Sequence, residues 1–187
     1  PMLSYALLKN AFAQSHYDRV IKQFTKHTFA PQHTKEVQCL AAQAYLFLGR
    51  TEECITLLKK LEHDDPSDDR LAHYLAIAYC RNHQEEEALA LIDKHLHTAK
   101  GSEKAYLFHF IKAKILMGKN KLAPALAEIN YSVLKNQNCA KSFLLKSNIE
   151  EKLQQYDQAI TSLEHYLKLA PQDHTTPAIL IQLTIKA

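Results

Sequence analysis

Four cysteines and eleven histidines are the side chains from which nucleophilic or metal chemistry could be built. Cys39, Cys54, Cys80 and Cys139 are widely scattered with no CxxC pair, which argues against a zinc knuckle, a redox dithiol or a disulfide framework. They read as reduced thiols of a cytoplasmic or nuclear protein. His95 and His97 are two residues apart, so on a helix they point about 200° away from each other. No HExxH accompanies them, no metal site is expected, and the histidines read as surface or groove residues. The acidic runs Asp64-Asp65…Asp68-Asp69 and Glu85-Glu86-Glu87 lack the D-x-[DN]-x-[DN]-G loop and its distal Glu. They read as solvated faces, the first at a helix N-terminus that favours carboxylates. GxSxG is absent, and three glycines (Gly49, Gly101, Gly118) build neither GxxxxGK[ST] nor GxGxxG. No catalytic residue and no cofactor are expected, and the chain is read as no enzyme.

The elements behind these residues follow from composition. The chain has 187 residues with 47% apolar residues, 3 Gly, 6 Pro and no Trp. Scarce Gly and Pro with many Ala, Leu, Gln, Glu and Lys predict an all-α protein. The formal charge of +3 is too small for a general attraction to polyanions. No apolar stretch approaches the ~18–20 residues of a membrane span, so no membrane partner is expected. Residues 2–9 lack the pattern of a secretory signal, and Pro1 reads as a remnant placed before a native Met2.

An internal repeat organises the chain. The run Ala41-Ala42-Gln43-Ala44-Tyr45-Leu46-Phe47-Leu48-Gly49 is followed by Cys54-Ile55, Leu58, Leu61 and Pro66. With Lys35 as position 1, Ala42, Tyr45, Gly49, Cys54, Leu58 and Pro66 fall at positions 8, 11, 15, 20, 24 and 32. This resembles the tetratricopeptide repeat, which has small residues at 8 and 20, Tyr at 11, Gly at 15, an apolar residue at 24 and Pro at 32. Small residues at 8 and 20 let helices A and B of one hairpin approach closely, and Pro66 and Pro171 cannot continue a helix.

The resemblance implies repeats at 1–34, 35–68, 69–102, 106–139 and 140–173, with a capping helix at 174–187 and the whole of 1–187 forming one domain. The implied fold is an α-α superhelix, a solenoid of helix-turn-helix units stacked around one core. Lys112 and Lys146 fall at the usually apolar position 7, and Glu150 at position 11. Using Gly118 as the fourth turn residue would shift that helix A by two places, and both frames stay open. The cap is rather apolar, with Ile179, Leu180, Ile181 and Leu183, so one side of it could meet a further repeat or another subunit.

In this family the concave groove is lined by helix A positions 2, 5, 9, 12 and 13. The resemblance therefore assigns Tyr5, Lys9 and Phe12 from unit one, and Cys39, Gln43 and Phe47 from unit two. Arg70, His73, Ile77 and Arg81 follow from unit three. Leu107, Phe110 and Lys114 come from unit four, and Lys141, Leu144 and Asn148 from unit five. Leu46, at position 12, is the groove candidate most open to being buried between helices. Cys39 and His73 share position 5 of adjacent units and form the one thiol–imidazole candidate, with no third group to orient it. Cys54, at position 20, reads as inert packing.

The mixture of apolar and basic residues predicts an amphipathic or extended peptide partner with acidic flanks. The two-carboxylate clamp for the C-terminal tail of heat-shock chaperones is absent. Starting at unit one it would need Lys, Asn, Asn, Lys and Arg where the chain has Tyr5, Lys9, Leu40, Arg70 and Tyr74. The leading expectation is a non-enzymatic adaptor, assembly chaperone or complex subunit. One alternative is a structural subunit that self-associates, as a homodimer or otherwise, through apolar ends or groove. The other is a helical-repeat RNA binder with Lys104, Lys112, Lys114, Lys119 and Lys121 as its footprint. Acidic units lie between the basic patches, so nucleic acid is the lesser reading.

Overall fold

The computed structural model describes residues 2–98 and 104–186. Pro1, Ala187 and residues 99–103, with Gly101 and the end of the expected 69–102 repeat, lie outside the described residues. Among the described residues the protein is all-α, with eleven helices and no strand. Two compact units divide the chain at residues 95 and 96.

In the first unit α1 (Met2–Ala13), α3 (Pro31–Phe47) and α5 (Asp69–Arg81) are the A helices, each followed by a B helix. These are α2 (Tyr17–Lys26), α4 (Thr51–Asp64) and α6 (Glu85–Thr98), whose last residues pass the division. In the second unit α7 (Ala105–Gly118) pairs with α8 (Leu122–Lys135), and α9 (Ala140–Lys152) with α10 (Tyr156–Leu169). A single helix, α11 (Thr176–Lys186), then packs on α10.

Every A helix ends in the same way. Ser15, Gly49, His83, Asn120 and Gln154 take positive φ between 56° and 73°. The next residue donates its N–H five residues back, as in Arg50 to Tyr45 O (2.9 Å) and Gln155 to Glu150 O (2.9 Å). This is the Schellman closure, which satisfies carbonyls the helix leaves open. The left-handed residue sits at position 15 in each case, and it settles the fourth frame. Asn120, not Gly118, makes the turn, because Gly118 is the last residue of α7 and keeps an ordinary φ.

Only one of the five left-handed residues is glycine, so the other four carry strain of about 1 kcal/mol or more, least for Asn. No atom lies within 4 Å of a Cβ built on Gly49, so conformation alone sets its substitution cost. Gly49→Ala is therefore expected to lose about 1 kcal/mol and Gly49→Asn much less, measured by urea denaturation. Equal losses for the two would show that packing, not φ, decides the site.

The small residues at the A–B crossings are fully buried: Ala42, Ala76 and Ala113 at position 8, and Cys54, Ala88, Ala125 and Ala159 at position 20. Polar atoms at these crossings bond across the hairpin. The Cys54 thiol donates to Ala42 O at 3.2 Å, and burial pushes its pKa up to about 12, as fits inert packing. In the fifth hairpin Ser147 takes position 8 and donates to Ala159 O at 2.9 Å.

The charged residues at apolar positions are also paired. Lys112 lies 3.1 Å from Glu128, whose other oxygen is 2.7 Å from His109 Nδ1. Burial pushes the Glu128 carboxyl up, but the bonds from His109 and Lys112 outweigh it and hold the group below the usual range. Lys146 lies 3.5 Å from Glu150, a buried carboxylate that accepts the Ser162 hydroxyl at 2.6 Å. His95 departs from the surface reading. It is buried at position 27 of the third hairpin, 3.3 Å from Asp69, and ties α6 to α5.

Candidate protein-binding face

Within the first unit α1, α3 and α5 lie side by side, so their residues at positions 2, 5, 9, 12 and 13 share one layer. At its N-terminal end the Tyr5 ring stacks on His33 with centroids 4.0 Å apart, and its hydroxyl donates to Glu36. Lys9 lies 3.2 Å from Glu36 and 5.3 Å over the Tyr5 ring. Glu36 stands at position 2 of α3, a groove position that the sequence reading left out although its register pointed there.

The next boundary is clasped by charge. Lys35 reaches Asp65 at 2.6 Å and Asp68 at 2.8 Å, and Arg70 reaches Asp68 at 3.2 Å. Asp68 also caps α5 by accepting the Arg70 N–H at 2.9 Å. Its side chain is only 10% exposed. Burial pushes the carboxyl up, but the bonds from Arg70 and Lys35 outweigh it and hold the group well below the carboxylate range. A depressed folded-state pKa adds stability that is fully present above the unfolded value, near pH 4. That stability is lost as pH falls through the folded value. Asp68→Asn is expected to cost about 1–2 kcal/mol at pH 7, with the gap to wild type narrowing as urea titrations move below pH 4. A gap independent of pH would remove the clasp.

Cys39 and Gln43 are half-buried on α3. Burial pushes the Cys39 thiol up, the reverse of what a nucleophile requires. His73 is half-buried and its ring lies 5.6 Å from that of Tyr74. Ile77 is half-buried too, and the Arg81 guanidinium donates to the Leu46 carbonyl, tying α5 to α3. Leu46 itself is buried between helices.

The C-terminal edge of the layer is aromatic. Phe47 stacks on Tyr17 with centroids 4.5 Å apart and planes at 11°, and meets Phe12 edge-on at 6.5 Å. Phe12 also meets Tyr17 edge-on at 5.6 Å. Phe47 is nevertheless 59% exposed. Tyr17, the first residue of α2, was not among the expected groove residues because it belongs to a B helix, and only the stacked geometry brings it to this edge.

In the second unit Leu107, Phe110 and Leu144 are half-buried. Phe110 packs on the cluster of Ala113, Ile129 and Ile149, and Leu144 on that of Ala159, Leu163 and Leu183. They serve the core as well as the surface. Lys114, Lys141 and Asn148 are exposed, and Asn148 lines an open cleft of about 510 Å³ with Met117, Glu151, Tyr156 and Lys186. Of the proposed RNA footprint, Lys112 is neutralised by Glu128, while Lys104, Lys114, Lys119 and Lys121 are exposed. Among the described residues no cluster of three His, Cys, Asp or Glu could hold a metal ion, and no helix is long and apolar enough to cross a membrane.

A tetratricopeptide repeat family profile matches residues 140–173, and a bacterial transcriptional activator domain profile matches residues 18–98. Sequence comparison with curated proteins finds no match. Among solved structures, a thermophilic TPR protein of Thermus thermophilus superposes with a TM-score of 0.73 at 15% identity, over 98% of each chain. MamA of Desulfovibrio magneticus RS-1 gives a TM-score of 0.70 at 11% identity, over 93% of this chain and 97% of its own. The pilF protein of Pseudomonas aeruginosa gives a TM-score of 0.72 at 16% identity, over 83% of this chain and 69% of its own.

Proposed function

Because the chain is a helical-repeat protein of the tetratricopeptide type, we propose that it is a non-enzymatic binding module that holds a protein segment against the α1–α3–α5 layer. The observation that carries this reading is the Phe47 ring. It is mostly exposed, yet fixed by stacking on Tyr17 and by the edge of Phe12. An exposed aromatic already locked in place loses little entropy on binding, which is the property of an interface anchor.

The charges elsewhere on the layer refine the expected partner. Lys9 and Arg70 are already paired with Glu36 and Asp68, so acidic flanks would have to compete with these carboxylates. An apolar or aromatic side chain inserted between Phe47 and Ile77 is the better fit, on an amphipathic helix or extended peptide. Residues 18–98 match a domain described from bacterial transcriptional activators, so components of transcription complexes are the first class to look for.

The test is capture from source-cell lysate by the purified chain and by its Phe47→Glu/Ile77→Glu variant, with helicity checked by circular dichroism. A protein held by the first and lost by the second supports the face. Capture that persists in the variant contradicts it.

A further inference from the structure

The outer face of the fourth B helix differs from the others in kind. At position 18 the other B helices carry Asp18, Glu52, Glu86 and Asp157, and at position 26 Lys26, Lys60, Lys94 and His165, all exposed. α8 has Ala123 and Tyr131 in those places. At position 29, where His63, His97 and Lys168 stand in α4, α6 and α10, α8 has Leu134. Ala123, Ala127, Tyr131 and Leu134 follow one another at helical spacing and share one side of α8. Both alanines are exposed, Tyr131 is 55% exposed and Leu134 is 68% exposed. α7 and α9 pack on the remaining sides.

The Tyr131 ring is already held in place. It stacks on His109 with centroids 5.3 Å apart and planes at 23°, and His109 Nδ1 lies 2.7 Å from Glu128. Ala123 and Ala127, one turn apart, let a second helix approach at the close end of the ~8–10 Å range of helix packing. A contiguous exposed apolar face of this kind marks a contact with another macromolecule.

The charges around the face select which one. α8 has Lys121 at its N-cap and Lys135 as its last residue, both exposed and, among the described residues, neither ion-paired. The one acid of α8, Glu128, is already held by His109 and Lys112. α2, α4, α6 and α10 each carry an acid in the first turn, and α8 carries none. The positive end of its dipole therefore adds to the Lys121 charge without a carboxylate to offset it.

We propose that α8 docks an amphipathic helix of a partner protein. The partner lays an apolar seam along Ala123, Ala127, Tyr131 and Leu134 and brings acidic residues to both ends of α8. The seam spans about 16 Å, or three helical turns. A second copy of the chain fits less well, because α8 against α8, parallel or antiparallel, sets lysine against lysine at both ends. Nucleic acid also fits less well, since the middle of the face has no cation to follow a phosphate backbone. α8 and the α1–α3–α5 layer belong to different units, so either reading can fail without the other.

The test titrates the full chain into a labelled, capped helical peptide and reads fluorescence anisotropy. The peptide has leucines spaced four, three and four residues apart, alanine and glutamine between them, and a pair of glutamates at each end. Saturable binding is expected at low ionic strength. Leu134→Gln, an exposed substitution whose fold is checked by circular dichroism, should weaken it about tenfold or more. Lys121→Gln/Lys135→Gln should weaken it about fivefold, and a peptide with lysines in place of its glutamates should bind least of all. Phe47→Glu should leave it unchanged. No saturable binding, or binding that Leu134→Gln leaves intact, would overturn the proposal. So would a wild-type dimer in sedimentation that Leu134→Gln dissociates, which would give the face to a second copy. An oligouridylate that binds more tightly than the peptide and displaces it would give the face to nucleic acid and overturn the proposal equally.

Discussion

Lys146→Met alone is expected to lower the unfolding free energy by about 3 kcal/mol, whereas Lys146→Met combined with Glu150→Leu should restore most of the loss. Glu150 is buried at position 11 of α9, its side chain only 4% exposed, with the Ser162 hydroxyl and the Lys146 ammonium as its partners. Removing Lys146 leaves a carboxylate without its countercharge in a medium of low dielectric. Removing both charges leaves Ser162, whose hydroxyl then lacks its acceptor and keeps a cost of about 1 kcal/mol. Urea denaturation of the wild type, the single variant and the double variant measures the cycle. A single variant as stable as the wild type would show that water, not Lys146, solvates Glu150.

The second large effect falls on binding. Phe47→Glu is expected to weaken a partner that seats on the α1–α3–α5 layer by about a hundredfold, within the ~2–4 kcal/mol range of buried aromatic anchors. The loss has two sources: the ring surface offered to the partner, and a carboxylate that must then be desolvated at the interface. Stability should change far less, because Phe47 is mostly exposed in the free chain. Phe47→Leu separates the sources, since it keeps apolar surface but loses the stack on Tyr17. An intermediate loss is the expected result by titration calorimetry with the captured partner.

The helical repeat was legible because a few residues admit one explanation. Gly49 makes a tight turn, Pro66 ends a helix, and Ala42 with Cys54 lets two helices cross closely. Where the pattern faded, packing had overruled local preference. Ser15, His83 and Gln154 hold the same left-handed turn as Gly49, and nothing in their residue types announces it. The turn is imposed by the helices on either side, so Gly118 offered a false landmark while Asn120 did the work. Lys146 broke the apolar pattern because Glu150 one turn along the same helix answers it, and Lys112 and Glu150 broke it because Glu128 and Ser162 answer them across the hairpin. The partners across the hairpin lie 12–16 residues away in sequence and carry no motif.

The proposed face was legible only in outline. Register named Tyr5, Lys9, Phe12 and Phe47, but it could not say that Glu36 already holds Tyr5 and Lys9. Nor could it say that Leu144 packs into the core of the second unit while Phe47 stands out from the first. Exposure depends on what the neighbouring hairpin presents, and that is a property of the stack rather than of any one repeat.

Hydrogen exchange of the chain, alone and bound to its captured partner, tests the central claim most directly. Added protection confined to α1, α3 and α5, greatest around residues 43–47 and 73–77, is the predicted result. Protection confined to the B helices α2 and α4, with the A helices unchanged, would contradict it.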